Sequence, residues 1–195
     1  MATSATPNGA EPVNTLSASG SYSGKVRHMK VASAYATAIF YGDFVKLVAA
    51  GTVEKAAVTT AVVAGTVGIF VGCSYTDPST SQLTFNQQYP ASTTASDIMA
   101  YVVDDPKIVL KMQGDAAIAQ TGLGNNVSAV STAGSTAIGR SKNALDASSI
   151  ATTNSLPLRI VEFVDGPSST VGDAYTDCLV TYLPLSHAYE TKLGV

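Results

Sequence analysis

Charge is what this chain has little of. Asp, Glu, Lys and Arg make up 13% of its 195 residues, with a formal net charge of −3, against about 25% in ordinary soluble domains. Disordered chains pair low hydrophobicity with high charge, and with 46% hydrophobic residues this one has neither property. There is no basic run and no interleaving of basic with aromatic residues. The electrostatic term that drives phosphate binding is therefore missing, and nucleic acid is not an expected partner. No apolar run reaches the ~20 residues of a membrane-spanning helix, so no membrane partner is expected either. The opening stretch MATSATPNGAEPVNTL lacks a basic segment and an apolar core, which predicts synthesis in the cytoplasm without a secretory signal.

Chemistry-bearing residues are equally sparse. The only histidines, His28 and His187, stand far apart, which rules out a histidine-rich metal site. No Asp-x-Asp-x-Asp-Gly loop offers a calcium site. Cys73 and Cys178 lie in apolar, strand-like surroundings with no CxxC and no adjacent His. Two buried free thiols are the expectation, although spacing alone leaves a disulfide open. The stretch GSTAIGRS, residues 134–141, has the spacing of a phosphate loop. It carries Arg140 where the mechanism needs Lys and has no strong strand before it, so it reads as a chance match. Asp104 and Asp105 are adjacent and would point to opposite faces of a strand, which prevents paired acid–base work. Asp97, Asp165, Asp173 and Asp177 sit near turns, where Asp bonds its own backbone. No GxSxG elbow occurs. The residues thus name no catalytic, cofactor-binding or metal site, and an enzyme is the minority reading.

What the chain does have is Ser, Thr, Asn and Gly. Small neutral side chains desolvate cheaply, a surface suited to an assembly protein and shared with secreted β-proteins. Residues 1–27 hold Pro7, Pro12 and almost no large apolar side chains. They read either as a tail or as an extended N-terminal arm that orders on a neighbour, with Val13, Leu16 and Tyr22 as anchors. Lys25, Arg27, His28 and Lys30 read as a solvated strand start.

Residues 28–195 read as one β-rich domain organised around residues 40–77. There Gly42-Asp43 opens a strand over 44–48, with Val45 and Leu47 on an apolar face and Lys46 on the other. Ala50-Gly51 turns it into a return strand over 52–56. Next comes GTVGIFVGCSY, with Val67, Ile69 and Val71 on one face and Gly68, Phe70 and Gly72 on the other. Glycines flanking an aromatic predict close approach of another backbone or a bulge. TDPSTSQLTFNQQYPASTT reads as loop, short strand, loop. The next two strands are split at Asp104-Asp105-Pro106, where Pro106 can neither continue a helix nor donate to a ladder. Residues 114–155 are a small-residue excursion, read with a short strand over 126–130 and a helical turn over 141–147. LPLRIVEFVDG and DAYTDCLVTYLP close the chain as strands. About seven to ten short strands predict an all-β domain, barrel- or sandwich-like, with little helix.

The segments YGDFVKL, GTVEKA, GTVGIFVGCSYTDP, AYVVDDPKIVLKMQ, SKNALDASSI, LPLRIVEFVDGP and VGDAYTDCLV follow one another in this order. In that order the chain resembles a family of small structural proteins of tailed bacteriophages, common in marine podovirus-like genomes, over about residues 35–183. The Gly-Asp strand, Gly-x-Val hairpin and return strand are also distantly similar to the shorter head decoration, or cement, proteins of lambdoid phages. The resemblance implies a β-rich virion protein on the outer capsid surface that bridges major capsid protein subunits. It also implies self-association, as a homotrimer or a dimer, and an arm that joins a neighbouring subunit's sheet. It implies no cofactor. The alternatives are a tail or head-fibre module and, behind it, a capsid-borne hydrolase.

Overall fold

The computed structural model describes residues 4–17, 22, 24–59, 63, 65–191 and 194. Among them, thirteen strands and three single turns of 3-10 helix make up the regular structure. One sheet has β1 (Glu11–Thr15) at its edge, then β8 (Ile108–Gln113), β13 (Asp177–Tyr182), β12 (Leu158–Phe163) and β9 (Asn126–Val127). The second runs β2 (Arg27–Lys30), β7 (Met99–Val103), β5 (Thr66–Thr76), β3 (Phe44–Leu47) and β4 (Val53–Lys55), with β6 (Leu83–Asn86) also paired to β5. A small ribbon joins β10 (Ala129–Val130) to β11 (Ala144–Leu145). Every ladder is antiparallel. The sheets keep free edges, so the all-β domain is a sandwich and not a closed barrel.

Two cores explain the strand sequences. Between the sheets, alternate residues Leu110, Met112, Leu158, Ile160, Val180 and Tyr182 meet Phe44, Ile69 and Val103, as the two-residue period of a strand requires. On the opposite face of the second sheet, Val45, Val67, Phe70, Cys73 and Val102 pack under the loop residues Ile39, Tyr89 and Ile98. The second sheet is therefore covered on both sides. The expected facing of β3 holds within it: Val45 and Leu47 pack on the outer core, while Phe44, on the face that Lys46 shares by alternation, enters the inner one.

Along β5 the expected alternation breaks. Val67 belongs to the outer core and Ile69 to the inner one. The ladder to β3 shifts register between Val45 and Lys46, and the ladder to β7 shifts between Phe70 and Gly72. Each shift inserts one residue and turns the following side chains to the other face. Both readings of the glycines hold at Gly68, since a Cβ there would lie 2.1 Å from the Val103 carbonyl oxygen.

Two local expectations change. Part of the segment read as an arm is β1, which pairs with β8 of its own chain. There the backbone satisfies its hydrogen bonds on the exposed side of β8, so no neighbour is needed to order it. The helical turn expected over 141–147 is instead β11 followed by a 3-10 turn at Ala147–Ser149. Asp146 starts that turn by accepting from the Ser148 amide at 3.0 Å, the usual capping role of Asp. The loop over 134–141 folds back on itself, with the Ser135 amide donating to the Arg140 carbonyl at 2.8 Å.

Candidate interaction surface

Two sheet edges carry apolar side chains into solvent. On β1, the register shift between Pro12 and Asn14 leaves Val13 45% exposed. Leu16 follows at 56% exposure, its amide held by the Lys107 carbonyl at 2.8 Å. The third expected anchor does not join them. Tyr22 is half-buried against the inner core, and burial first, then Tyr41 and Asp105, pushes its phenol pKa up.

The second edge is β6. It pairs with Cys73 to Thr76 of β5 on one side, and no strand pairs with its other side among the described residues. Leu83 and Phe85, two residues apart, share a face and are 62% and 70% exposed. Phe85 stands beside a shallow groove of about 400 Å³ lined by Tyr41, Val71, Gly72 and Tyr101. The His28 ring lies 4.6 Å from that of Tyr101, and the Arg140 guanidinium sits 5.0 Å above Tyr41. Arg140 is paired with Glu11, so the groove presents aromatic faces with little free charge. Sequence reasoning placed a short strand here without marking it as a surface. The readable signal was Leu83 and Phe85 alternating with Thr84 and Asn86, too short a pattern to tell a buried face from an exposed one.

A larger polar cleft of about 460 Å³ lies between the N-terminal segment and β8. Its polar groups engage one another: Lys111 pairs with Asp177 at 3.1 Å, and the Thr6 amide donates to Gln113 Oε1 at 2.8 Å. No group of three or more His, Cys, Asp or Glu lies together in a metal-holding arrangement among the described residues. No described helix is long and apolar enough to cross a membrane.

No family model, curated protein or solved structure matches the chain.

The remaining polar groups tie distant segments of the chain together. Asp104 and Asp105 lie where the chain leaves β7 for β8, crossing from one sheet to the other. Asp104 pairs with Arg27 and accepts from the Tyr189 hydroxyl at 2.9 Å. Asp105 accepts from the Thr15 hydroxyl at 2.9 Å and from the Lys107 amide at 2.9 Å. Lys107 pairs in turn with Glu190 at 2.9 Å. Cys73 and Cys178 are free thiols in different cores, and burial pushes each pKa up to about 12. Asp43 is fully buried beside Ser141, Asn143 and Lys55.

Proposed function

We propose that this protein is a virion structural protein of a tailed phage. In this reading it decorates the outer capsid surface and stabilises the shell by bridging major capsid protein subunits, itself assembled as a trimer or a dimer. The observation that carries the reading is the uncharged β6 edge, with Leu83 and Phe85 standing out beside an aromatic groove. An exposed strand edge bearing apolar residues accepts a strand or loop of a partner, because backbone groups supply affinity and side chains supply register. Val13 and Leu16 offer a second attachment on the other sheet. Two weak attachments on one body act together, since the second forms at high effective concentration. The low charge and the resemblance to phage structural proteins favour the same reading.

The test is cryo-electron microscopy of virions that carry the chain, alongside virions from which its gene has been deleted. Density lost from the outer head surface supports the proposal. Density lost from the tail or a head fibre supports the alternative module, and no lost density overturns both. Because their side chains are exposed, Leu83→Ser with Phe85→Ser is expected to change stability by no more than about 0.5 kcal/mol. The same pair is expected to abolish sedimentation of the protein with capsids.

A further inference from the structure

The carboxylate of Asp43 bridges an amine and a carboxamide inside the protein. Its Oδ2 accepts from Lys55 Nζ at 2.8 Å and from the Phe40 amide at 2.9 Å. Its Oδ1 accepts from Asn143 Nδ2 at 3.1 Å and from the Ser141 hydroxyl at 2.7 Å. Asp43 and Asn143 are buried, and the Lys55 side chain is 14% exposed, with Nζ 5.8 Å from the centre of the Phe40 ring. The Asn143 carbonyl oxygen accepts from the Thr132 amide at 3.0 Å. That donor and the Asp43 acceptor together fix which way the carboxamide points.

Transamidation needs three things: a nucleophilic amine beside a base, a carbonyl polarised by a fixed donor, and a leaving nitrogen beside an acid. All three surround Asp43, shielded from competing water. We propose that Lys55 and Asn143 join in an intramolecular isopeptide bond, with Asp43 as the proton carrier. The Lys55 ammonium gives a proton to Asp43 Oδ2, and the neutral amine attacks Asn143 Cγ. The Thr132 amide stabilises the oxyanion that forms on Oδ1. Asp43 returns its proton to Nδ2, the Cγ–Nδ2 bond breaks, and the remaining surplus proton on Nζ leaves with the departing nitrogen. One ammonium and one carboxamide become one secondary amide and one ammonium ion. Asp43 begins and ends ionised, and no oxidant or cofactor takes part. Ser141 is a positioning residue that holds the carboxylate.

The bond would tie the β3–β4 hairpin to the segment leading into β11. It would thus brace the small-residue excursion against the second sheet by a covalent link. This inference is independent of the capsid reading.

Mass spectrometry of the denatured full chain tests it, after incubation of the native protein until its mass no longer changes. The expected mass lies below that of the sequence by one ammonia. A tryptic map should then show a branched peptide, uncut after Lys55 and joined to the peptide that begins at Asn143. Asp43→Asn and Lys55→Arg should each restore the full mass, and circular dichroism shows whether each variant folds. The wild-type readout alone decides the matter if a variant does not fold. Full wild-type mass with normal cleavage after Lys55 overturns the proposal. So does loss of ammonia without a branch, and so does loss of water with the branch on Asp43.

Discussion

His187 is a buried histidine held between two tyrosine rings, with centroids 5.2 Å from Tyr182 and 5.0 Å from Tyr189. Its Nδ1 accepts from the Tyr189 amide at 3.2 Å. Among the described residues Nε2 has no partner of hydrogen-bond geometry. Burial lowers the His187 pKa; the backbone of Val67 and the carboxylates of Glu190, Asp104 and Asp105 oppose the shift without cancelling it. The unfolded chain, with an ordinary value of about 6.5, therefore takes up the proton first. The stability this histidine contributes is complete above about pH 6.5 and declines as pH falls from there through the folded value. Melting temperatures measured from about pH 8 to about pH 5 should hold steady and then drop, and His187→Gln should flatten the drop. Equal slopes in the two proteins would refute the assignment. The cysteines make a second test. With their thiols buried and pushed up to about 12, neither Cys73 nor Cys178 should react with a disulfide reagent at about pH 8 in the native state. Both should react once the chain is unfolded. The thiols' burial was legible from their apolar neighbours. The burial of His187 was not, because it comes from packing against the rings of Tyr182 and Tyr189 and from the backbone of Val67 far along the chain, which no local pattern around it marks.

At the scale of elements, β5 shows where pattern reading succeeds and where it stops. Its length and β-branched composition marked a strand, and its glycines marked a close approach. Its facing was misread because alternation assumes an unbroken ladder, whereas the register shifts opposite Val45 and after Phe70 each reverse it. A sheet buried on both faces also hides such reversals, since an apolar residue suits either side. Gly68 carries the consequence. It holds a φ of +154° and lies against the Val103 carbonyl, where a Cβ would sit at 2.1 Å. Gly68→Ala must push β7 away or straighten the bulge, at a cost of about 2–4 kcal/mol. Urea denaturation should show a lower midpoint with an unchanged slope. A midpoint equal to that of the wild type would mean the two strands can separate there at no cost.

For the whole molecule, the strands were legible and their division between two sheets was not. The sequence marks β7 and β8 as neighbours split by Asp104-Asp105-Pro106, yet they lie in different sheets. Their destination depends on long-range contacts: the turn between them holds Thr15 and Arg27 from one end of the chain and Tyr189 and Glu190 from the other. The same dependence decides how the N-terminal segment should be probed. Ala10 is fully buried, β1 closes one edge of the first sheet, and Glu11 pairs with Arg140. Deleting residues 1–17 therefore removes part of the domain as well as the exposed Val13 and Leu16. It uncovers the edge of β8, which invites aggregation, and should lower the melting temperature by several degrees. Val13→Ser with Leu16→Ser removes only exposed apolar surface, so it should melt like the wild type while sedimenting poorly with capsids. A deletion that melts like the full chain would make β1 a detachable arm after all. A double variant that sediments normally would remove this edge from the attachment surface and leave β6 to carry it.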